Sequence, residues 1–510
     1  MASLSPAPGA CVFLSSNSPM SPKSIKAPGT SDRSPQPGAR RKWLSRNMAA
    51  GCQDKETPTL HKKMLKTVEV SCNDGSPVGY YIRRSHGSSR WIVFLEGGWY
   101  CFDHISCSER FRVMGDSMSS KNWPKHKSGT GILSWDPEEN PYHFHSNVVY
   151  IPYCSSDSWS GTRNKTSVMD FSFMGSLILE KIFKELLRKG LRQSSSVILA
   201  GSSAGGTGVL INLDRISEVI HAVNANIHVM GIVDAGWFLD NEPFKAKPCR
   251  DSFTCSPTAG IQRGARVWEP RLPASCTAQY NTEIWRCFFG HRVYPSVKAP
   301  VYIIQNMYDA AQIQVNNVFD ETLQTQLTSE QWRYLLNLGE EMKGTLQNLS
   351  SVFSPGCVAH EVLIKSDWHK LSIDGVSLPE SIHCWEMGQT RNSSCGHLSA
   401  HPVLNKHEAS SSGEAAGKHD KASKWKNDNH KWRNARKEEN REQFVKNFKP
   451  GNRQCRQRLI DQCPWPHCNC SCVRSRWEVL TQAHQFFLQT LATVMGIDPA
   501  KMTDSRLCGS

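Results

Sequence analysis

The sequence predicts an α/β fold, a mainly parallel, doubly wound sheet with helices on both faces, and three observations carry that expectation. Short unbroken apolar runs, of the kind shown by strands buried on both faces, recur between residues 91 and 305. Amphipathic stretches at helical spacing lie between them, which is the alternation of a βαβ chain. One run, Val197–Ala200, passes through a glycine-rich turn straight into such a stretch.

Residues 1–60 are rich in Ser, Pro and basic side chains without apolar periodicity, and read as a disordered segment. Order is expected from near Leu65, where TVEVSCNDGSPVGYYIRR reads as a hairpin turning at Asp74-Gly75. Trp91–Leu95 is a buried strand running into Glu96-Gly97-Gly98-Trp99, and Val148–Pro152 is a second strand. Met174–Leu187 is an amphipathic helix. After the strand Val197–Ala200, the segment Thr207–Ile220 places Val209, Leu210, Leu213, Ile216 and Ile220 at helical spacing. Ile227–Val233 and Val301–Gln305 are further strands, and Leu363–Lys365 is expected to be a last short one. Residues 61–400 are thus read as one domain. From about His397 the composition changes. Lys406–Arg458 holds 15 Lys/Arg against 7 Asp/Glu, so residues 401–458 read as a basic low-complexity insertion. Residues 459–510, a Cys-rich stretch followed by an amphipathic helix at Trp477–Val494, are expected to complete the domain and staple it with disulfides.

A formal charge of +14 implies affinity for something anionic, such as nucleic acid, a membrane surface or a sulfated glycan. No stretch approaches the roughly 18 consecutive apolar residues of a transmembrane helix. The 19 cysteines are many for a cytosolic enzyme, and several are closely spaced, as at Cys101 and Cys107 and at Cys463, Cys468, Cys470 and Cys472. No clean pair of CxxC knuckles appears, which favours disulfides in an oxidising compartment over zinc. Four N-glycosylation acceptors, at Asn164, Asn348, Asn392 and Asn469, agree with secretion. The first twenty residues do not: Ala10–Leu14 is too short for the apolar region of a signal peptide.

Gly201-Ser202-Ser203-Ala204-Gly205 is G-x-S-x-G, and its strand–turn–helix context is that of a nucleophile elbow, which makes the expected fold of the α/β-hydrolase type. Ser203 as nucleophile needs a base, an acid to orient the base, and donors for an oxyanion. Asp309 stands at the carboxyl end of the strand Val301–Gln305, where ligands gather in open α/β sheets, and is preferred as the acid over Asp234. For the base, placement leaves His360, His369, His383 and His397 open, all downstream of Asp309. Gly97-Gly98-Trp99 follows a strand well upstream of the elbow, where oxyanion loops lie, and Ala204 supplies the backbone N–H after the nucleophile. This chemistry asks for no metal and no cofactor.

Eight stretches, LEGGWYC (from Leu95), IPYCSSDSWSG (from Ile151), AGSSAGGTGVL (from Ala200), DAGWFLDN (from Asp234), CFFG (from Cys287), YDAAQ (from Tyr308), SLPESIHCW (from Ser377) and CPWPHCN (from Cys463), resemble in order the Notum-type palmitoleoyl-protein carboxylesterases of the pectin acetylesterase-like family. The resemblance implies a secreted enzyme acting on lipidated Wnt proteins, with Ser203 as nucleophile, Asp309 as acid and His383 as base. It implies an oxyanion hole from Gly98, Trp99 and Ala204, and an acyl pocket lined by Trp99, Tyr100, Thr207, Phe238, Phe288, Phe289 and Val315. Heparan sulfate and glypicans are the implied polyanionic partners, rather than nucleic acid. The long basic insertion, and Ala310 where a Glu is usual, mark a divergent, Notum-2-like member. Two other readings compete: deacetylation of a polysaccharide or sialyl ester, and a non-catalytic module that binds lipid or heparan sulfate.

Overall fold

A computed structural model describes residues 59–250, 255–318, 327–394, 455–462 and 465–472. The expected disordered segment up to residue 58, the basic insertion from 406 to 454 and the helix Trp477–Val494 lie outside the described residues.

Ten strands form one sheet. In chain order they begin with β1 (Leu60–Met64), β2 (Gly79–Arg83), β3 (Arg90–Leu95), β4 (His126–Lys127) and β5 (Asn147–Ile151). β6 (Ser196–Ser202), β7 (His228–Asp234) and β8 (Val301–Ile304) follow. Two residues, β9 (Tyr308–Asp309), stand outside this sheet, and β10 (Val352–Ser354) rejoins it. Three more two-residue strands, β11 (Val358–Ala359), β12 (Ser372–Ile373) and β13 (Val376–Ser377), also stand apart, and β14 (Arg458–Ile460) closes the set.

The spatial order is β14-β10-β8-β7-β6-β3-β5-β2-β1-β4. From β14 to β5 every neighbour pairs parallel, and β2, β1 and β4 add an antiparallel edge. The central strands are buried at nearly every position, which is why they read as continuous apolar runs without alternation.

The helices are α1 (His104–Val113), α2 (Gly175–Arg188), α3 (Ala204–His221), α4 (Pro257–Trp268) and α5 (Ala274–Tyr280). They continue with α6 (Gly290–Val293), α7 (Ala310–Val315), α8 (Ser329–Leu346) and α9 (Leu378–Ser394). α2 buries Ile178, Leu179, Ile182, Phe183, Leu186 and Leu187, each worth about 1.5–3 kcal/mol on leaving water, which outweighs its lack of a side-chain N-cap. Gly231 of β7 faces Val209 and Leu213 of α3, while Tyr302, in register with the next residue Ile232, packs at a tilt against Trp385 of α9. Side chains alternate along a strand, so α3 and α9 cover opposite faces of the sheet.

Three elements differ from the sequence reading. The hairpin turn at Asp74-Gly75 is present, with Ser71 bridged to Pro77, but the long partner of β2 is β1, from further upstream. Leu363–Lys365 is not a strand; the amides of Val362 and Leu363 are taken by the Asp234 carboxylate, so that run is a pinned loop. The last parallel strands are instead β10 and β14, and β14 includes Arg458, so ordered chain resumes within the segment assigned to the basic insertion.

Six disulfides join described cysteines: Cys72–Cys154, Cys101–Cys107, Cys249–Cys255, Cys276–Cys287, Cys357–Cys472 and Cys384–Cys455. The last two tie the C-terminal residues to the loop before β11 and to α9. Among the described residues no group of His, Cys, Asp and Glu has the arrangement of a metal site, and no helix is long and apolar enough to cross a membrane.

Candidate active site

The nucleophile position follows from local chain geometry. β6 ends at Ser202 and α3 begins at Ala204, leaving Ser203 alone at the turn with φ 56° and ψ −124°. That backbone is costly for a non-glycine residue and persists only where the surroundings enforce it. Here they do. A Cβ at Gly201 would collide with the Gly205 carbonyl, and one at Gly205 with the Leu95 carbonyl, so only glycine lets the turn close against β3. The Ser203 N–H donates to the Asp234 backbone carbonyl at 2.8 Å.

The partner histidine is His360. Its Nε2 lies 2.7 Å from Ser203 Oγ, and its Nδ1 lies 2.8 Å from Asp309 Oδ2. Asp309 sits at the head of α7, where its other carboxylate oxygen caps the Gln312 amide at 3.0 Å. β9 pairs parallel with β11, setting Ala359 beside Asp309 and so delivering the next residue, His360, to the carboxylate. The Asn306 amide holds the His360 carbonyl at 3.0 Å. Burial alone would pull the His360 imidazole down. The Asp309 charge and hydrogen bond outweigh it, and with Glu361 and Asp234 they push it up to about 9.

His383, the base implied by the resemblance, lies elsewhere. It is part of α9, stacked on the Tyr142 ring with centroids 4.3 Å apart, in the electrostatic surroundings of Glu386, His143 and Arg90. Burial lowers it. Glu386 there accepts two 2.6 Å hydrogen bonds from Arg90 and one from His143; against the opposing effect of burial, the His143 hydrogen bond and the charges of His143 and Arg90 hold its carboxyl down at about 2. This cluster ties α9 to β3. The physical reason for the difference is topological: His360 follows β10, the strand beyond β8, whereas His383 comes after the pinned loop that the sequence reading took for a strand.

Asp234, the competing acid, does not touch the imidazole. Its Oδ2 accepts from Ser202 Oγ at 2.6 Å and from the Val362 and Leu363 amides at 3.1 and 3.0 Å. It therefore clasps the loop that carries His360 to the strand that carries Ser203. Burial pushes this carboxyl up to about 7, against the hydrogen bonds that favour its ionised form.

β3 and β6 are adjacent and parallel, with Leu95 opposite Gly201, so the Gly97-Gly98-Trp99 loop leaves the sheet beside the Ser203 turn. Trp99 and Ala204, two of the three expected oxyanion contributors, line the same cavity as Ser203; Gly98 lies directly before Trp99 in the loop. All seven expected acyl-pocket residues line it too: Trp99, Tyr100, Thr207, Phe238, Phe288, Phe289 and Val315. The space between these walls, part of it open to solvent, is about 470 Å³. Ser158, Pro257 and Ile261 complete the wall. The spacing of Ile261, Ala265 and Trp268 on α4 is legible as an apolar helix face, but periodicity does not tell a pocket wall from core. Phe238 also packs against His360, with ring centroids 5.9 Å apart.

A buried nucleophile–imidazole–carboxylate relay opening onto an apolar cavity is equipped for acyl transfer through a covalent intermediate. Comparison with known proteins places it. The pectinacetylesterase family model matches residues 53–473. The chain is 40% identical to the mouse palmitoleoyl-protein carboxylesterase NOTUM over 455 residues, covering 87% of this chain and 80% of that protein. It is 39% identical to zebrafish notum1a over 88% of this chain and 80% of the relative. Xenopus laevis notum2 is 42% identical over 67% of this chain and 69% of its own length, so identity does not single out a Notum-2-like placement. The chain belongs to the pectinacetylesterase family and, like these relatives, is a carboxylic-ester hydrolase.

Proposed function

We propose that the chain is a secreted serine carboxylesterase that removes a long-chain O-acyl group, palmitoleoyl, from a serine of a protein. The single observation that carries the reading is the Asp309–His360–Ser203 relay at the mouth of a pocket walled by Trp99, Tyr100, Phe238, Phe288 and Phe289. Ser203 Oγ attacks the ester carbonyl as its proton passes to His360 Nε2. The tetrahedral oxyanion is met by the N–H of Ala204, at the positive end of α3, and by N–H groups of the Gly98-Trp99 turn. Collapse expels the protein serine, which takes the proton back from His360 and leaves the acyl group on Ser203. Water then attacks, deprotonated by the same imidazole, and releases the fatty acid and free Ser203. Asp309 keeps the Nδ1 proton in place throughout.

The apolar walls of the pocket support the long-acyl class. Each buried CH₂ contributes about 0.8 kcal/mol, so a walled apolar cavity favours a long chain strongly over acetyl. The relatives' names supply palmitoleoyl-protein as the substrate, and the family resemblance implies the Wnt class. Six disulfides support an extracellular setting. Heparan sulfate as a partner rests on the charge of residues 406–458 and on the family resemblance. The reading is tested with a fluorophosphonate probe, 4-nitrophenyl octanoate and acetate, and a serine-palmitoleoylated peptide. Wild type is expected to label, to prefer octanoate and to release palmitoleate from the peptide, while Ser203→Ala does none of these. Preference for acetate, or turnover by Ser203→Ala, contradicts it.

A further inference from the structure

Beneath the loop that carries Trp99 lies a charge the mechanism above does not use. Arg110 of α1 is only 1% exposed, and among the described residues its guanidinium has no carboxylate partner. One terminal nitrogen donates to the Gly98 carbonyl at 2.5 Å, Nε donates to Ser156 Oγ at 2.8 Å, and the other terminal nitrogen lies 3.5 Å from Met114 Sδ. The group also faces the Tyr153 ring, 5.9 Å from its centroid. Burial pulls the guanidinium down to about 10, which leaves it charged at neutral pH. A buried cation without a counter-ion costs stability, by several kcal/mol in general. Such a cost points to a compensating use.

We propose that Arg110 is a positioning residue for the oxyanion hole: through the Gly98 carbonyl it holds and polarises the Gly98–Trp99 peptide, so that the Trp99 N–H meets the negative charge formed in the transition state. The planar trans peptide points its C=O and N–H in opposite directions, so a cation on the oxygen strengthens the N–H on the far side. The same contact fixes a strained backbone. Trp99 has φ 58°, an outlier for so bulky a residue, and a conformation of that kind needs its neighbours to enforce it. The helix is built to keep the charge in place. Cys107, three residues before Arg110, is bonded to Cys101, two residues after Trp99, and Asp103 and Ser106 cap α1 reciprocally.

This inference rests on the esterase reading, and Ser203→Ala separates the two: turnover by that variant removes the reading itself. The test compares full-length wild type, Arg110→Met and Arg110→Lys on 4-nitrophenyl octanoate. Inhibition is measured with octyl trifluoromethyl ketone, which forms a tetrahedral anion on the serine, and with 1-decanol, which does not. Arg110→Met is expected to lower kcat by about 10–100-fold, below the full loss of an oxyanion donor, with KM nearly unchanged. Ketone inhibition weakens by the same factor and decanol inhibition stays as in wild type. Arg110→Lys keeps the charge but loses the fork, so its kcat falls less, by about threefold to tenfold. If Arg110→Met does not fold, the Lys variant carries the test. Wild-type kcat in a folded variant, or loss of decanol and ketone inhibition together, overturns the proposal.

Discussion

Ser203 and His360 meet at 2.7 Å, yet the chain brings them there by opposite means. Ser203 is placed by one continuous stretch, residues 196–207: the strand β6, a turn that admits only glycine at its flanks, and the first turn of α3. His360 hangs from contacts distant in sequence. Its side chain is held by Asp309, its carbonyl by Asn306, and its loop by Asp234. The first arrangement is local and rigid; the second is assembled only when β7, β8, β9 and β11 are all in place. The nucleophile therefore withstands change around it better than the base does, and damage to the relay is best inflicted through the base loop.

The largest effect short of removing the relay is expected from Asp309→Asn. Loss of the carboxylate frees the imidazole to rotate and to take the wrong tautomer, and kcat should fall about 10²–10⁴-fold. The sign of the pH effect is also fixed. In wild type, kcat/KM is expected to rise with pH as His360 loses its proton, with a half-maximum near 9. Without Asp309 the leading contribution that remains is burial, which lowers the imidazole, so the half-maximum moves down. The same linkage appears in stability. Imidazole titrates near ~6.5 in the unfolded chain, so the pair stabilises the fold fully below pH ~6.5 and loses that contribution as pH rises through about 9. A pH–rate profile of the residual activity that keeps the wild-type midpoint would break this account of the base.

A smaller loss is expected from Asp234→Asn, which keeps the shape but loses the charge that accepts from Val362, Leu363 and Ser202. Kcat should drop about tenfold while reaction with a fluorophosphonate, which needs the Ser203–His360 contact, slows in proportion. Equal loss of kcat and of thermal stability with unchanged labelling per folded molecule would make Asp234 a fold residue only. The smallest effect concerns the pocket. Phe289→Trp should leave acetate hydrolysis within about threefold and cut octanoate hydrolysis more, because added bulk in a filled wall penalises long chains first. An unchanged chain-length profile would place Phe289 in the core rather than the pocket.

The same contrast explains how much the chain discloses before it is folded. β3, β5, β6, β7 and β8 are long apolar runs, and G-x-S-x-G with its strand and helix is a local signature, so the sheet and Ser203 are legible directly. Asp309 is legible because it follows a recognisable strand. His360 is not, since the two strands before it, Val352–Ser354 and Val358–Ala359, have three and two residues and no period to read. Its outer neighbour β14 arrives from about a hundred residues further along, paired in parallel. The run Leu363–Lys365 looks more like a strand and is a loop, because Asp234 takes the Val362 and Leu363 amides at its head. Placement leaves four histidines open and the motif resemblance implies His383, which the structure uses to stack on Tyr142 instead. The pocket wall divides in the same way. Motif resemblance brings seven residues together, while Ser158, Pro257 and Ile261 join through packing that no local pattern encodes. Arg110 is invisible for a related reason: one of two arginines in the last turn of a polar helix gives no sign that its target is a carbonyl twelve residues back.

The two histidines give the most direct test of the central claim. Purified His360→Ala and His383→Ala are compared with wild type for 4-nitrophenyl octanoate turnover and for the rate of fluorophosphonate labelling, each normalised to folded protein by circular dichroism. Removal of a general base from such a relay is expected to cost His360→Ala at least about 10³-fold in kcat, with labelling nearly abolished. His383→Ala should unfold at lower temperature, because a ring stacked on Tyr142 is lost, and should keep kcat within about twofold. Near-wild-type turnover by His360→Ala, with loss in His383→Ala, would contradict the account.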